Sequence, residues 1–233
     1  MLPEHILART KVLAGLDSPT LVQLAAASTT RRYTRGEMLW RAGDQPHGLA
    51  VVAQGLVKVV RPAPKGRSTI CGLFGPTESV GDVAFVRNIP YPGDAIAATD
   101  IATVIEVPGE VVSRCFERHP EMGLSLAKGL ADKLCTLHSK IDVLSAGSVE
   151  ARLATLLLEL NDKLGDDFDT GESRIPVALS RRELADLVST ALETAIRTMS
   201  RWERHGVVST RPEGFVIKDV SELERLAGRA AAS

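Results

Sequence analysis

Aromatic side chains make up only 4% of this 233-residue chain, so Leu, Val and Ala must fill whatever cores it builds. Net charge is nearly nil, at −1. That excludes a polyelectrolyte coating nucleic acid indiscriminately, and any DNA contact has to come from a local basic face. No apolar run approaches the length of a membrane span, and the N-terminal MLPEHILART lacks a signal-peptide core. Cysteine is limited to Cys71, Cys115 and Cys135, an odd and widely spaced set that suits a reducing cytoplasm rather than a disulfide framework. His5, His47, His119, His138 and His205 are scattered with no H-x-H pair, and no Ser-His-Asp order is evident. Internal repeats and low-complexity tracts are absent as well. What these absences leave is a soluble, cytoplasmic, non-enzymatic chain of two domains with no membrane partner.

The stretch around which the chain is organised is SRRELADLVSTALETAIRTMSRWER, Ser180–Arg204. Ser180 is an N-cap, and Glu183 three residues later completes a capping box. Leu184, Leu187 and Val188 share one helical face, with Arg181, Arg182 and Asp186 on the other. Ser189-Thr190 breaks the pattern, and Thr190 is expected to cap a second helix running from Ala191. That helix buries Ala195, Met199 and Trp202 and presents Glu193, Thr194, Arg197, Ser200 and Arg201. Two helices joined by so short a turn form either an ordinary helical hairpin or a helix-turn-helix whose second helix enters the major groove. Arg181, Arg182, Arg197, Arg201, Arg204 and Arg211 supply the local basic face, which favours the second.

Residues Ile6 to Ala27 are helical in pattern, with a capping sequence at Asp17-Ser18-Pro19. From Arg31 the texture changes to short apolar runs: Met38–Trp40, Leu49–Val52, Leu56–Val60, Ser68–Phe74, Ser79–Val80, Ala95–Ala98 and Ala102–Val107. Gly36, Gly43, Gly48, Gly55, Gly66, Gly75 and Gly81 stand between them, at expected left-handed turn positions. Many short strands at regular spacing predict a small β-roll, of double-stranded β-helix or jelly-roll type. From Pro120 to Ala146 the helical period returns. Leu130, Leu134, Leu137, Ile141 and Leu144 are spaced four, three, four, three, which is the seam of a coiled coil and reads as a homodimer interface, the alternative being a helix packed on its own roll. Leu124 and Leu126, off the seam, are expected against the roll. Ser148 caps the next helix, Gly165–Ser173 reads as an acidic exposed loop, and Gly206–Thr210 with Phe215–Ile217 reads as a two-stranded wing. The expected fold class is α+β: a β-roll sensor domain (1–119), a long dimerisation helix with hinge (120–146) and a winged helix-turn-helix domain (147–233).

In this order the chain resembles the Crp/Fnr superfamily of bacterial transcription regulators. The resemblance runs from Val12 to about Leu226, through R-G-E-M-L-W-R-A-G-D (Arg35–Asp44), V-V-A-Q-G-L-V-K-V (Val51–Val59), V-G-D-V-A-F (Val80–Phe85) and the helix-turn-helix. It implies a homodimer that binds a palindromic operator of double-stranded DNA, acts with RNA polymerase as an activator and senses a signal at the roll and dimer helix. The implied DNA contacts are Arg181, Thr190, Ala191, Glu193, Thr194, Ile196, Arg197 and Arg201. Glu193 and Arg197, four apart, match the family positions that read a G·C pair and its neighbour: a carboxylate accepts from cytosine N4, and a guanidinium donates to guanine O6 and N7. Leu192 stands where the cyclic-AMP branch has arginine, and Ile196 where the Fnr pattern has serine. The expected operator therefore has TTG…CAA character, with relaxed preference at the base that Ile196 faces.

The same resemblance places an effector pocket around Gly81, Asp82, Val83, Tyr91, Leu137 and His138. The cyclic-nucleotide branch cradles its phosphate with Gly-Glu and Arg-Ser pairs. Here Asp82 replaces the glutamate, Pro92-Gly93 replaces Arg-Ser, and Leu137-His138 replaces the Thr-Ser pair of the dimer helix. No guanidinium meets a phosphate, so the departures argue against cyclic AMP. The absence of N-terminal cysteines argues against an iron–sulfur cluster. The Pro90-Tyr91-Pro92 stretch is similar to that of Fnr-, Dnr- and FixK-like branches. A heme, with His138 or His47 as candidate axial ligand, an apolar small molecule and constitutive DNA binding without effector all stay open.

Overall fold

The computed structural model describes residues 2–62, 68–120, 122–129, 131, 147–167 and 172–228. The chain divides into two compact units, Met1–Thr136 and Leu137–Ser233. The first begins with α1 (Pro3–Ala8), a 3-10 turn (Lys11–Leu13) and α2 (Ser18–Ala27). Asp17 caps α2 as its position predicts, its carboxylate accepting from Thr20 N at 3.0 Å.

Eight strands follow: β1 (Thr29–Thr34), β2 (Met38–Trp40), β3 (Gly48–Gln54), β4 (Val57–Pro62), β5 (Ser68–Phe74), β6 (Ser79–Val80), β7 (Asp94–Ala97) and β8 (Ile101–Pro108). They form two antiparallel sheets in the orders β1-β8-β3-β6 and β2-β7-β4-β5. The alternation of a strand explains the uninterrupted apolar run in β3. Ala50 and Val52 join Val80, Ala95, Ala97 and Val104 in the core of the roll. Leu49 and Val51, on the opposite face, join Ile105 and Val107 beneath Leu7, Leu13 and Leu24 of the N-terminal segment. β3 is therefore covered on both sides. Gly48 is not at a left-handed turn as expected; it lies in β3, so near the Val107 carbonyl that a Cβ would collide with it. Gly36, Gly43, Gly55 and Gly81 do have positive φ, whereas after β5 that role falls to Thr77 (φ 67°). Gly66 lies outside the described residues.

β1 was not expected, since the first run read as a strand was Met38–Trp40. Its TTRRYT is largely exposed, and its charged side chains protect a sheet edge, so apolar periodicity could not mark it. α3 (Asp82–Arg87) and α4 (Gly109–Arg118) complete the roll. Residues 122–129 form α5. Met122 is fully buried in the cluster beneath the N-terminal helices, and Leu126, one turn on, packs against it. Leu124 departs from expectation: it is 60% exposed, because two residues along a helix from Met122 point nearly the opposite way. The seam residues Leu130, Leu134, Leu137, Ile141 and Leu144, with Cys135 and His138, lie outside the described residues.

The second unit opens on α6 (Val149–Leu164). Its cap is Ser148, whose hydroxyl accepts from Ala151 N at 3.1 Å. Leu153, Ala154, Leu157, Leu158 and Leu160 form its buried face. α7 (Arg181–Leu187), α8 (Leu192–Arg204), β11 (Val208–Arg211), β12 (Gly214–Ile217) and α9 (Val220–Leu226) follow. The stretch expected as an acidic loop contains β9 (Asp166–Asp167) and the start of β10 (Ser173–Ile175), so the wing is a four-stranded sheet, β11-β12-β10-β9, rather than a lone hairpin. Backbone pairing outweighs the polar sequence here. Ser173 is buried and donates to Asn161 Oδ1 at 2.6 Å.

Candidate nucleic-acid interface and roll cavity

The helix-turn-helix is set by local chemistry. Ser180 and Glu183 form the full capping box of α7: Ser180 N donates to Glu183 Oε2 (2.8 Å), and Glu183 N donates to Ser180 Oγ (3.1 Å). At the turn, Ser189 takes a left-handed conformation (φ 51°). Thr190 does not cap α8 as expected. Its amide turns back to the Ala185 carbonyl (2.9 Å), closing α7, and the carbonyl of Ala191 accepts the first bonds of α8, from Thr194 N and Ala195 N. Ala191 is thus the N-cap, with φ −70° and ψ 144° and no side-chain acceptor. The first amides of α8 are left for water or for a phosphate oxygen.

Ala195, Thr198, Met199 and Trp202 are the buried face of α8. Thr198 completes the i, i+3, i+4, i+7 stripe that the apolar pattern alone missed. Glu193, Ile196, Arg197 and Ser200 are exposed, Ile196 by 43%, and Thr194 is half-buried. Glu193 and Arg197 stand one turn apart on this face.

Two of the expected DNA-contacting arginines have protein partners. Arg201 donates to Glu150 Oε1 at 2.6 Å, and Trp202 Nε1 donates to the same oxygen at 2.9 Å. Glu150, in the first turn of α6, therefore fastens the C-terminal half of α8. Nothing in the sequence links positions so far apart. Arg181 donates to Thr210 Oγ1 at 2.6 Å, joining α7 to the wing, and its partial burial lowers the guanidinium pKa from the usual value. Arg182, Arg204 and Arg211 are exposed around α8.

In the roll, the expected phosphate cradle is filled by its own residues. Asp82 is buried: Oδ2 accepts from Ser79 Oγ (2.8 Å) and Oδ1 from Val83 N (2.9 Å). A Cβ at Gly93 would lie 2.8 Å from the Val60 carbonyl oxygen, so the position has no room for a donor side chain. A cavity of about 530 Å³ opens instead beside this region, among Arg31, Trp40, Asp44, His47, Tyr91 and Glu106. Of the expected pocket residues that are among the described ones, only Tyr91 lines it; Leu137 and His138 lie outside the described residues. Gly81, Asp82 and Val83 do not line it, and Val83 is 48% exposed.

Gly81 has a supporting role. At φ 76°, a Cβ there would come within 2.6 Å of the Tyr91 ring and 3.1 Å of Trp40, and those two rings stack at 4.2 Å with an interplanar angle of 16°. Trp40 lies within the Arg35–Asp44 motif and Glu106 within an apolar run, but nothing in the sequence brings the two to one cavity. Cys115 is half-buried, and desolvation raises its thiol pKa, which opposes thiolate reactivity. Among the described residues, no group of three His, Cys, Asp or Glu is placed to hold a metal ion, and no helix is long and apolar enough to cross a membrane.

Comparison with known proteins accounts for both halves. The cyclic nucleotide-binding domain family matches residues 30–119, and the Crp-like helix-turn-helix domain family matches residues 151–226. The chain is 25% identical over 227 residues to a CRP-like cAMP-activated global transcriptional regulator of Mycobacterium tuberculosis, covering 97% of this chain and 99% of that protein. It is 28% identical over 199 residues to the transcriptional activator protein Anr of Pseudomonas aeruginosa, covering 85% and 80%. Among solved structures, a CRP-family transcriptional regulator of Thermus thermophilus superimposes with a TM-score of 0.68 at 26% identity, covering 86% of this chain and 100% of that one. The relatives fall on both the cyclic-AMP and the Fnr side, and sequence identity does not choose between them. The order of roll and winged helix-turn-helix, the geometry of α7 and α8 and these matches agree: the chain belongs to the Crp/Fnr superfamily of transcription regulators.

Proposed function

We propose that the chain works in the cytoplasm as a homodimeric, sequence-specific activator. Each α8 reads one half of a palindromic operator, and the bound dimer engages RNA polymerase. The observation that carries this reading is the exposed Glu193–Arg197 pair on a helix whose opposite stripe is fully anchored. A guanidinium and a carboxylate one turn apart suit adjacent bases of a G·C-containing step, Arg197 toward guanine and Glu193 toward cytosine. Ala191 and Thr190 stand at the helix start, where phosphates approach, and Ile196 offers only apolar contact. Roll (1–119), dimer helix and hinge (120–146) and DNA-binding domain (147–233) divide the labour.

The signal is not cyclic AMP. The Asp82 carboxylate is already engaged by Ser79 and Val83, Pro92 has no side-chain donor, and Gly93 has no space for one. A cyclic phosphate placed there would be buried without a cation. Calorimetry with cyclic AMP, run beside gel shifts with and without it, tests this. The expected result is no heat of binding at micromolar nucleotide and unchanged DNA affinity. Micromolar binding, or operator binding that requires the nucleotide, overturns it.

A further inference from the structure

The cavity beside the filled cradle has a chemical character of its own. One wall is the Trp40–Tyr91 stack. Tyr91 is pinned from both sides: its amide donates to the Asp44 carbonyl, and its carbonyl accepts from Gly43 N, each at 2.9 Å. Tyr91 is 7% exposed and lines the 530 Å³ space, and its hydroxyl has no hydrogen-bond partner among the described residues. Burial and the fields of Glu106 and Asp44 push its pKa up to about 12. The hydroxyl is thus a donor at any physiological pH.

Across from it, Glu106 accepts from the Tyr33 hydroxyl at 2.9 Å and pairs with the largely exposed Arg31 at 3.3 Å. Asp44 stands on the exposed rim, held by Arg41 N at 2.8 Å. A preformed aromatic wall, one free hydroxyl donor and two carboxylates, of which Arg31 offsets one, make a site of net negative charge that disfavours an anion and welcomes a flat molecule with a ring acceptor and amino groups.

We propose that this cavity binds a small planar nitrogen heterocycle, neutral or cationic, lying along Trp40 and Tyr91. The Tyr91 hydroxyl donates to a ring nitrogen or carbonyl of the ligand, and Glu106 and Asp44 accept from its amino groups. This deepens the reading of a signal other than cyclic AMP by naming a chemical class and a place outside the Gly81–Gly93 cradle.

The test uses the full-length chain and 2-aminobenzimidazole as probe, followed by calorimetry and by quenching of tryptophan fluorescence, Trp40 being the one tryptophan that lines the cavity. Indole-2-carboxylate, of similar size and opposite charge, is the control. Expected are saturable binding of the amine at one site per chain, no binding of the carboxylate, and retention of the amine when cyclic AMP is added. Tyr91→Phe keeps the stack and removes only the hydroxyl, so affinity should drop roughly threefold to tenfold. Glu106→Gln, still able to accept from Tyr33, should weaken the cationic probe further than a neutral analogue. No saturable binding of the amine, equal binding of the carboxylate, or an unchanged Tyr91→Phe overturns the site. Displacement of the amine by micromolar cyclic AMP overturns both this site and the non-cyclic-nucleotide reading, whereas cyclic AMP bound without displacement overturns only the latter.

Discussion

Replacing Ala191 by Asp should stabilise the protein and weaken it as a DNA binder at once. Ala191 is exposed, holds the extended backbone of an N-cap and supplies no acceptor to the first amides of α8. Aspartate fits that conformation, and its carboxylate would accept from those amides while facing the positive end of the helix dipole. Such caps contribute about 1 kcal/mol over alanine. For a unit of about a hundred residues, this raises the melting midpoint by roughly 4–8 °C.

The same carboxylate would occupy the amides a phosphate needs and repel the phosphate itself. At about 4 Å and full solvent screening the repulsion is ~1 kcal/mol, roughly fivefold in affinity for each α8 and about 25-fold for two. Ala191→Asn separates the effects, since it caps without charge and should gain similar stability with a smaller loss of binding. Thermal melts by circular dichroism and fluorescence anisotropy at one fixed salt concentration measure both quantities. An Asp variant that binds as tightly as the parent, or that gains no stability, refutes the assignment of Ala191 as an uncapped, phosphate-facing terminus.

Other expectations follow from the same contacts. Glu150→Ala frees Arg201 for phosphate, so the slope of log affinity against log salt should steepen by about 0.9 per α8; Arg201→Ala should leave the parent slope unchanged. Leu134→Asp combined with Leu137→Asp places like charges in the expected seam, and sedimentation should then report monomers that have lost specific DNA binding. A dimeric double variant would move the interface elsewhere. Tyr33 and Tyr91 both have hydroxyl pKa values raised to about 12, chiefly by burial. Because the folded values exceed the unfolded value near 10, their contribution is complete below pH ~10 and is lost as pH rises towards 12. Urea melts across that window should show falling stability, with a shallower fall in the Tyr33→Phe/Tyr91→Phe double variant.

The parts of the fold legible from sequence were those written in short-range chemistry. The Ser180–Glu183 box, the Ser148 and Asp17 caps and the apolar strands of the roll all act within a few residues, and each stands where spacing placed it. What escaped depends on partners distant in sequence. β1 is polar and exists because β8 pairs with it, β10 is held by the wing strand β12 and Asn161, and β9 is held by β10. In α8, helical period alone put Glu193 and Arg197 on one exposed face, while the role proposed for them on DNA came from the family resemblance. The engagement of Arg201 by Glu150 and of Arg181 by Thr210 was not readable, since it needs the packing of α6 and the wing. The cavity of the roll was hidden for a similar reason. Family position pointed to Gly81–Val83, yet Asp82 turns inward to Ser79, and the open space lies against Trp40, Tyr91 and Glu106.

The central claim is that α8 reads sequence through Glu193 and Arg197. Selection of bound sites from a pool of random duplexes, carried out with the full-length chain and with Arg197→Ala, tests it directly. The expected result is an inverted repeat of TTG…CAA character from the parent chain, and from the variant a loss of preference confined mainly to the guanine, worth roughly 1–3 kcal/mol. Sites without two-fold symmetry, sites lacking the G·C pair, or the same motif from the variant would contradict it.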